Sequence, residues 1–466
     1  MMGNTNDSGA GLQAVLCLLW LLAGVANSLA ASNRVDRQDQ DYELAQTILQ
    51  DERLDKVVSM GQELLKSGLN AGSHYSEVWI RDLNTFIIPL LDVVPRQSVR
   101  EALLVFFHFQ GEDGNIVDGY VPMGKGEARY RFRFAPTKPG LKAHKNTVET
   151  DQESSLVLAV CRYVAKTKDT TVLEEVVQGV PVRSRLEMAL EYPLKHRFSH
   201  QHGLIWGATT ADWGDVQPEH DWGVELDSNS HRAIDIYDNA LFLLAVGEYL
   251  KIACSGDRVL EKKWAEYEKA LRKSVREHLW DKTAQKFIPH IYLDGSPFPK
   301  EFDENQIFYH GGTAVAIEAG LLTQSEIMAS YKTMRENVRR SGAATIGLTL
   351  YPPYPKGFFK NKSMEPYSYQ NGGDWTWFGA RMARQLARKG YVDESYRELV
   401  PMLERVTRHQ GFFEWWTLGN QPKGAGQFRG AAGVLLEAIY ELRLWAKNYT
   451  EKRLAESPAP VDASAH

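Results

Sequence analysis

Apolar residues recur every three to four positions along most of this chain, and that helical period restricts its fold more than any other feature. Leu156, Val160, Tyr163 and Val164 fall on one helical face, as do Leu435, Ala438, Ile439 and Leu442. The pattern predicts helices near 42–67, 81–92, 97–109, 151–166, 171–193, 235–252, 258–280, 310–320, 324–339, 374–389, 391–408 and 430–446. No regular strand alternation separates them, which argues against a doubly wound sheet or a β/α barrel. No repeat of roughly 30–45 residues is visible, which argues against a solenoid. An all-α toroid of six helical hairpins, (α/α)6, with irregular loops and a small β-hairpin, is a sensible single-domain solution. Periodicity alone does not select it over another helical array.

The 466 residues carry a formal charge of −5 and are 43% hydrophobic. That excludes a disordered chain and gives no basic footprint for nucleic-acid binding. Cys17, Cys161 and Cys254 provide no disulfide framework; Cys161 and Cys254 fit buried thiols, with one disulfide open. Ala14 to Ala26 is an apolar run followed by Ser28-Leu29-Ala30. It is shorter than the ~20 residues of a spanning helix and reads as a signal peptide over 1–30, although no Lys or Arg precedes it. This implies a secreted, endomembrane or periplasmic protein with no membrane attachment once mature; the alternative is cytoplasmic. Asn361-Lys362-Ser363 and Asn448-Tyr449-Thr450 match the N-glycosylation acceptor pattern. Residues 31–450 form the expected domain and 451–466 an expected disordered tail.

Five inter-helix segments are rich in Trp, Gly and carboxylates, where a rigid scaffold usually carries its chemistry. In Trp79-Ile80-Arg81-Asp82, Asp82 can cap a helix and Arg81 offers a planar donor fork. Around Asp151, Thr150 and Glu153 fit a capping box, leaving Asp151 as a pocket candidate. In the Trp206–Asp215 segment, Asp212 and Asp215 lie beside Trp213, and Trp222 follows; low polarity and like charge both raise a carboxyl pKa, as a general acid requires. Calcium binding is the competing reading, without EF-hand spacing. Gln370-Asn371-Gly372-Gly373 is a turn signal leading to Asp374, a candidate cap, and to Trp375 and Trp377, a candidate pocket wall. Glu414 sits among Phe412, Phe413, Trp415 and Trp416, where a carboxylate needs a partner or a task.

Together these segments resemble the six-hairpin glycosidases, which include glucoamylases, glycogen-debranching glucosidases, trehalases and alkaline/neutral invertases. Trp79–Asp82 resembles the Trp-x-Arg-Asp motif, whose Arg and Asp grip the terminal sugar. The Asp212–Asp215 run is similar to the Asp-Trp-Asn-Asp of related phosphorylases, with Gly214 in place of Asn. It implies Asp215 as proton donor, with Asp212 as second choice. Gln370–Trp377 resembles the Gly-x-x-Trp-Pro-Trp region, with Thr376 in place of Pro, and Glu414 takes the position of the late base. The resemblance implies inverting hydrolysis of a terminal, glucoside-type bond in an oligosaccharide or small glycoside, with no cofactor and no metal. Trp79, Arg81, Asp82, Asp151, Trp213, Gln370, Asn371, Trp375, Trp377 and Trp415 are the implied sugar-binding residues.

The period-two run from Tyr130 to Phe134 reads as a strand. Its Arg131 and Arg133 would recognise an acidic group such as a uronate if it folds over the pocket; a solvated hairpin is the alternative. Other functional classes stay open: a sugar 2-epimerase, for which His202, His231 and His310 are scattered; a phosphorylase; and a noncatalytic carbohydrate-binding scaffold.

Overall fold

The computed structural model describes residues 38–254 and 256–456; the expected signal peptide lies outside them. Two compact units are distinguished. The smaller includes the helix over 38–50 (α1) and the end of the last helix, joined by a bond from Tyr449 Oη to Gln38 O of 3.1 Å. That helix runs to Glu456, so 451–456 are helical, contrary to the disordered tail expected there. The predicted helix over 42–67 is interrupted at Asp51.

The larger unit, Glu52–Glu441, is the toroid. Its outer helices are α2 (Glu52–Lys66), α4 (Arg96–His108), α6 (Val182–His196), α8 (Arg258–His278), α10 (Gln324–Ser341) and α12 (Val392–His409). Its inner helices are α3 (Ile80–Leu90), α5 (Gln152–Thr167), α7 (Ile236–Ile252), α9 (His310–Glu318), α11 (Thr376–Arg388) and the first part of α13 (Arg429–Glu456). Contacts run α3–α5–α7–α9–α11 around the ring. The closing helix α13 pairs Glu437 with Arg384 of α11, and its Gly433 comes so near α3 that a Cβ would lie 2.3 Å from that of Phe86.

Residue pattern divides the two layers. Outer α8 buries only Trp264, Leu271 and Val275, one stripe of an otherwise charged helix. Inner α11 buries every residue from Thr376 to Ala387. Its Arg381 and Arg384, with Arg162 of α5, surround Glu318 at 3.0, 2.6 and 3.4 Å. Burial raises the Glu318 carboxyl, but the three guanidiniums overcome it and hold the group at about 2. This knot gives buried charges the partners they require.

The expected helix over 171–193 starts later. A 3-10 turn (Thr170–Glu174) and a hairpin of β5 (Val176–Val177) and β6 (Val180–Pro181) precede α6. Cys161 and Cys254 are free, buried thiols. The strands are short pairs set among the connections. A four-stranded antiparallel sheet has the order β1 (Val78–Trp79), β2 (Gly119–Pro122), β4 (Leu141–His144), β3 (Arg133–Phe134). Most connections from an inner helix to the next outer one are short, whereas those entering inner helices at 109–151, 197–235 and 342–375 are long. The functional segments of the sequence therefore converge near the starts of the inner helices.

Candidate active site

A cavity of about 210 Å³ opens among those starts. β1 runs directly into α3 and brings Trp79, Arg81 and Asp82 to the wall. The 206–215 loop contributes Trp213 and Asp215, and the 369–377 segment Tyr369, Gln370, Trp375 and Trp377. The hairpin of strands Phe413–Trp416 and Pro422–Gly426 contributes Glu414.

Glu414 is held from two sides: Tyr75 Oη donates to its Oε1 at 2.9 Å and the Ala425 N–H to its Oε2 at 2.7 Å. Burial raises its pKa; the Ala425 and Tyr75 donors offset part of that, and Asp215 adds to it. The Phe413–Trp416 strand carries a register shift at Glu414, and such bulges re-aim side chains at functional sites. Successive strand residues face opposite ways, so Trp415 falls outside the cavity lining, contrary to expectation.

Asp215 follows a turn in which the Gly214 N–H bonds Ala211 O at 3.1 Å. Its own N–H donates to Gln370 Oε1 at 3.2 Å. Burial raises the Asp215 pKa, against the pull of Arg81, and its Oδ1 is buried without a protein partner. Two carboxyl groups with elevated pKa therefore line the same cavity.

Asp212 does not. It adopts a left-handed φ of 56°, and its carboxylate accepts the N–H groups of Gly311 and Gly312 at 2.7 and 2.8 Å, at the start of α9. It is fully buried outside the cavity lining, an anchor for the loop rather than a second proton donor. Asp151 is likewise behind the wall, accepting from Arg81 Nε at 2.6 Å and Tyr237 Oη at 2.9 Å. Asn371 braces its turn through Tyr354 N, Tyr354 O and Met364 O.

Arg81 faces the cavity, but all three of its nitrogens engage protein groups: Asp151, Glu149 at 3.0 Å and Trp213 O at 3.3 Å. Its fork is committed to the wall. Asp82 caps no helix; Trp79 occupies the N-cap position. Burial lifts Asp82 to about 8 against the pull of Arg81, and its Oδ1 is unpaired. Thr150 and Glu153 form no capping box: Thr150 donates to Trp206 O, and Glu153 accepts from Ile116 N and Lys145 Nζ. Asp374 caps nothing either, being locked to Arg405 at 2.9 Å and to Thr345. Arg405 also donates to Thr376 Oγ1 at 2.6 Å, a bond that a Pro there would forgo.

The aromatic wall is a nest in which Trp213 meets Trp375 edge-on at 4.7 Å and Trp377 at 5.5 Å, and stacks on Phe378 at 4.5 Å. Sequence reasoning missed Tyr75, Asp118, His144 and Glu149 as lining residues. Burial lifts Asp118 to about 7. Asp118 follows the buried Ile116-Val117 pair without any motif, so no local signal marks it. The expected strand over Tyr130–Phe134 shrinks to Arg133–Phe134. Tyr130 joins the cavity wall, but Arg131 is 88% exposed and paired with Glu225, and Arg133 reaches Asn115. Neither Arg lines the cavity, which removes the basis for uronate recognition by them. His202, His231 and His310 lie outside its lining too.

Residues 56–378 match the glycosyl hydrolase 94 superfamily, catalytic domain. The chain belongs to this superfamily and is a glycosidase. A search of curated proteins finds no match. Among solved structures, the GH63 mannosylglycerate hydrolase from Thermus thermophilus in complex with glucose is similar at 15% identity and a TM-score of 0.58, covering 82% of this chain and 99% of that one. The rhamnosidase from Klebsiella oxytoca with rhamnose bound is similar at 13% identity and a TM-score of 0.56, covering 84% and 64%. At such identities the likeness establishes the fold, the (α/α)6 toroid.

Proposed function

We propose that this glycosidase hydrolyses a terminal, glucoside-type bond with inversion, Asp215 acting as general acid and Glu414 as base. The observation that carries this reading is the pair of buried carboxyls lining one cavity, Glu414 fixed by two donors. Asp215 would protonate the leaving oxygen while Glu414 removes a proton from the attacking water on the opposite face, a geometry that needs roughly 6.5–9.5 Å between the carboxyls. Asp82, with its free Oδ1, would accept from sugar hydroxyls, and the indoles would pack on apolar sugar faces.

The cation content of the cavity favours hydrolysis over phosphorolysis. Among the described lining residues the one guanidinium or ammonium is that of Arg81, and it is already paired with Glu149 and Asp151. A phosphate would find no uncommitted cation there. The glucose complex of the Thermus mannosylglycerate hydrolase supports a small glycoside as substrate. We also propose export through the apolar segment Ala14–Ala26, checked by N-terminal sequencing of the mature protein.

Screening neutral di- and oligosaccharides, with NMR of the first-formed anomer, tests the function. Inverted product at a phosphate-independent rate is expected, with Asp215→Asn and Glu414→Gln folded but inactive. Phosphate-dependent turnover, isomer formation without hydrolysis, or a fully active Asp215→Asn would overturn the reading.

A further inference from the structure

His144 has no place in the acid/base pair, yet it stands in the cavity wall. It ends β4, where its carbonyl accepts the Asp118 N–H at 2.9 Å, so the strand sets both residues. Its ring stacks on Tyr130 at 3.7 Å with planes 9° apart, and meets Trp79 edge-on at 4.8 Å and Phe132 at 6.1 Å. The residue is 2% exposed, and its Nε2 is buried without a protein partner. A phenyl ring would fill this aromatic slot without burying an orphaned polar atom, which is costly. The imidazole makes chemical sense if something entering the cavity completes it.

The surroundings say what that is. Asp82 Oδ1, Asp215 Oδ1 and Trp377 Nε1 are also buried, unpaired and on lining residues of the same cavity. Two carboxyl oxygens and an indole donor call for groups that donate and accept at short range, as hydroxyls do. We propose that His144 is a specificity-determining residue whose Nε2 hydrogen-bonds one hydroxyl of the bound glycoside, while the Tyr130 stack fixes its ring. This rests on the glycosidase reading. Burial pushes the imidazole down to about 3, so it works as a neutral ring. Whichever tautomer is present, a hydroxyl can match it as donor or acceptor. The stack also ties Tyr130, and with it the neighbouring loop, to substrate recognition.

The test uses the full chain and the best neutral glycoside from the screen, with its monodeoxy analogues. His144→Phe keeps the ring and removes the nitrogen; His144→Gln returns an amide near Nε2. A site built to bind a hydroxyl discriminates strongly against its loss. His144→Phe should therefore lower kcat/KM at least about tenfold on the parent glycoside, yet match wild type on one monodeoxy analogue. His144→Gln should recover part of the loss, and thermal unfolding reports whether each variant folds. Wild-type rates in His144→Phe, or an equal loss on every monodeoxy analogue, would overturn the proposal and leave the glycosidase reading standing. Failure of wild type to bind or turn over any glycoside would overturn both.

Discussion

Gly424→Ala gives a direct test of how closely Glu414 is positioned. Gly424 has a φ of +69°, and a Cβ there would lie 2.2 Å from Glu414 Oε2, 2.8 Å from its Cβ and 2.9 Å from its Cδ. Restoring ordinary contact moves the carboxylate by about 1 Å and breaks its bond from the Ala425 N–H. A misplacement of about 1 Å can cost roughly 100-fold in rate, or about 2.7 kcal/mol of barrier. Left-handed Ala costs a further ~1–2 kcal/mol of stability. Gly179→Ala separates the two effects. Gly179 lies in the β5–β6 turn at φ +81°, and a Cβ added there would meet nothing within 4 Å, so it carries the strain without the collision. Initial rates on the best glycoside and thermal unfolding should show comparable losses of stability, with activity lost only in Gly424→Ala. Equal activity in the two folded variants would refute the claim that Glu414 placement limits the reaction.

Asp212→Asn should lower stability by about 1–3 kcal/mol, because it weakens the hold on Gly311 and Gly312, while folded protein still turns over; an inactive, fully folded variant would restore Asp212 as a catalytic candidate. Asp82 is held at about 8 in the fold against an ordinary 3.8. Its contribution to stability is complete below pH 3.8 and is lost as pH rises to about 8. Asp82→Asn should therefore raise the melting temperature relative to wild type more at pH 8 than at pH 4; equal increments would contradict this. The Arg131→Gln/Arg133→Gln double variant should keep wild-type selectivity between neutral and uronic glycosides, measured by competition, since neither side chain lines the cavity.

The helical architecture and the segments that build the site are legible in the order of the residues alone. A 3.6-residue period survives on amphipathic outer helices such as α8, because it reflects which face meets other helices. Trp79, Asp82, Asp215, Trp377 and Glu414 were legible because carboxylates and indoles crowded into connections have little use in a plain loop. How each side chain is employed depends instead on the assembled ring. Asp212 and Asp215 stand three positions apart in the same motif, yet one turns inward to anchor α9 and the other enters the cavity. Glu414 and Trp415 are adjacent, but strand alternation sends them to opposite sides. Asp118, His144 and the Arg knot around Glu318 act through partners distant in sequence. Their burial and charge depend on closure of the ring, which local spacing does not encode.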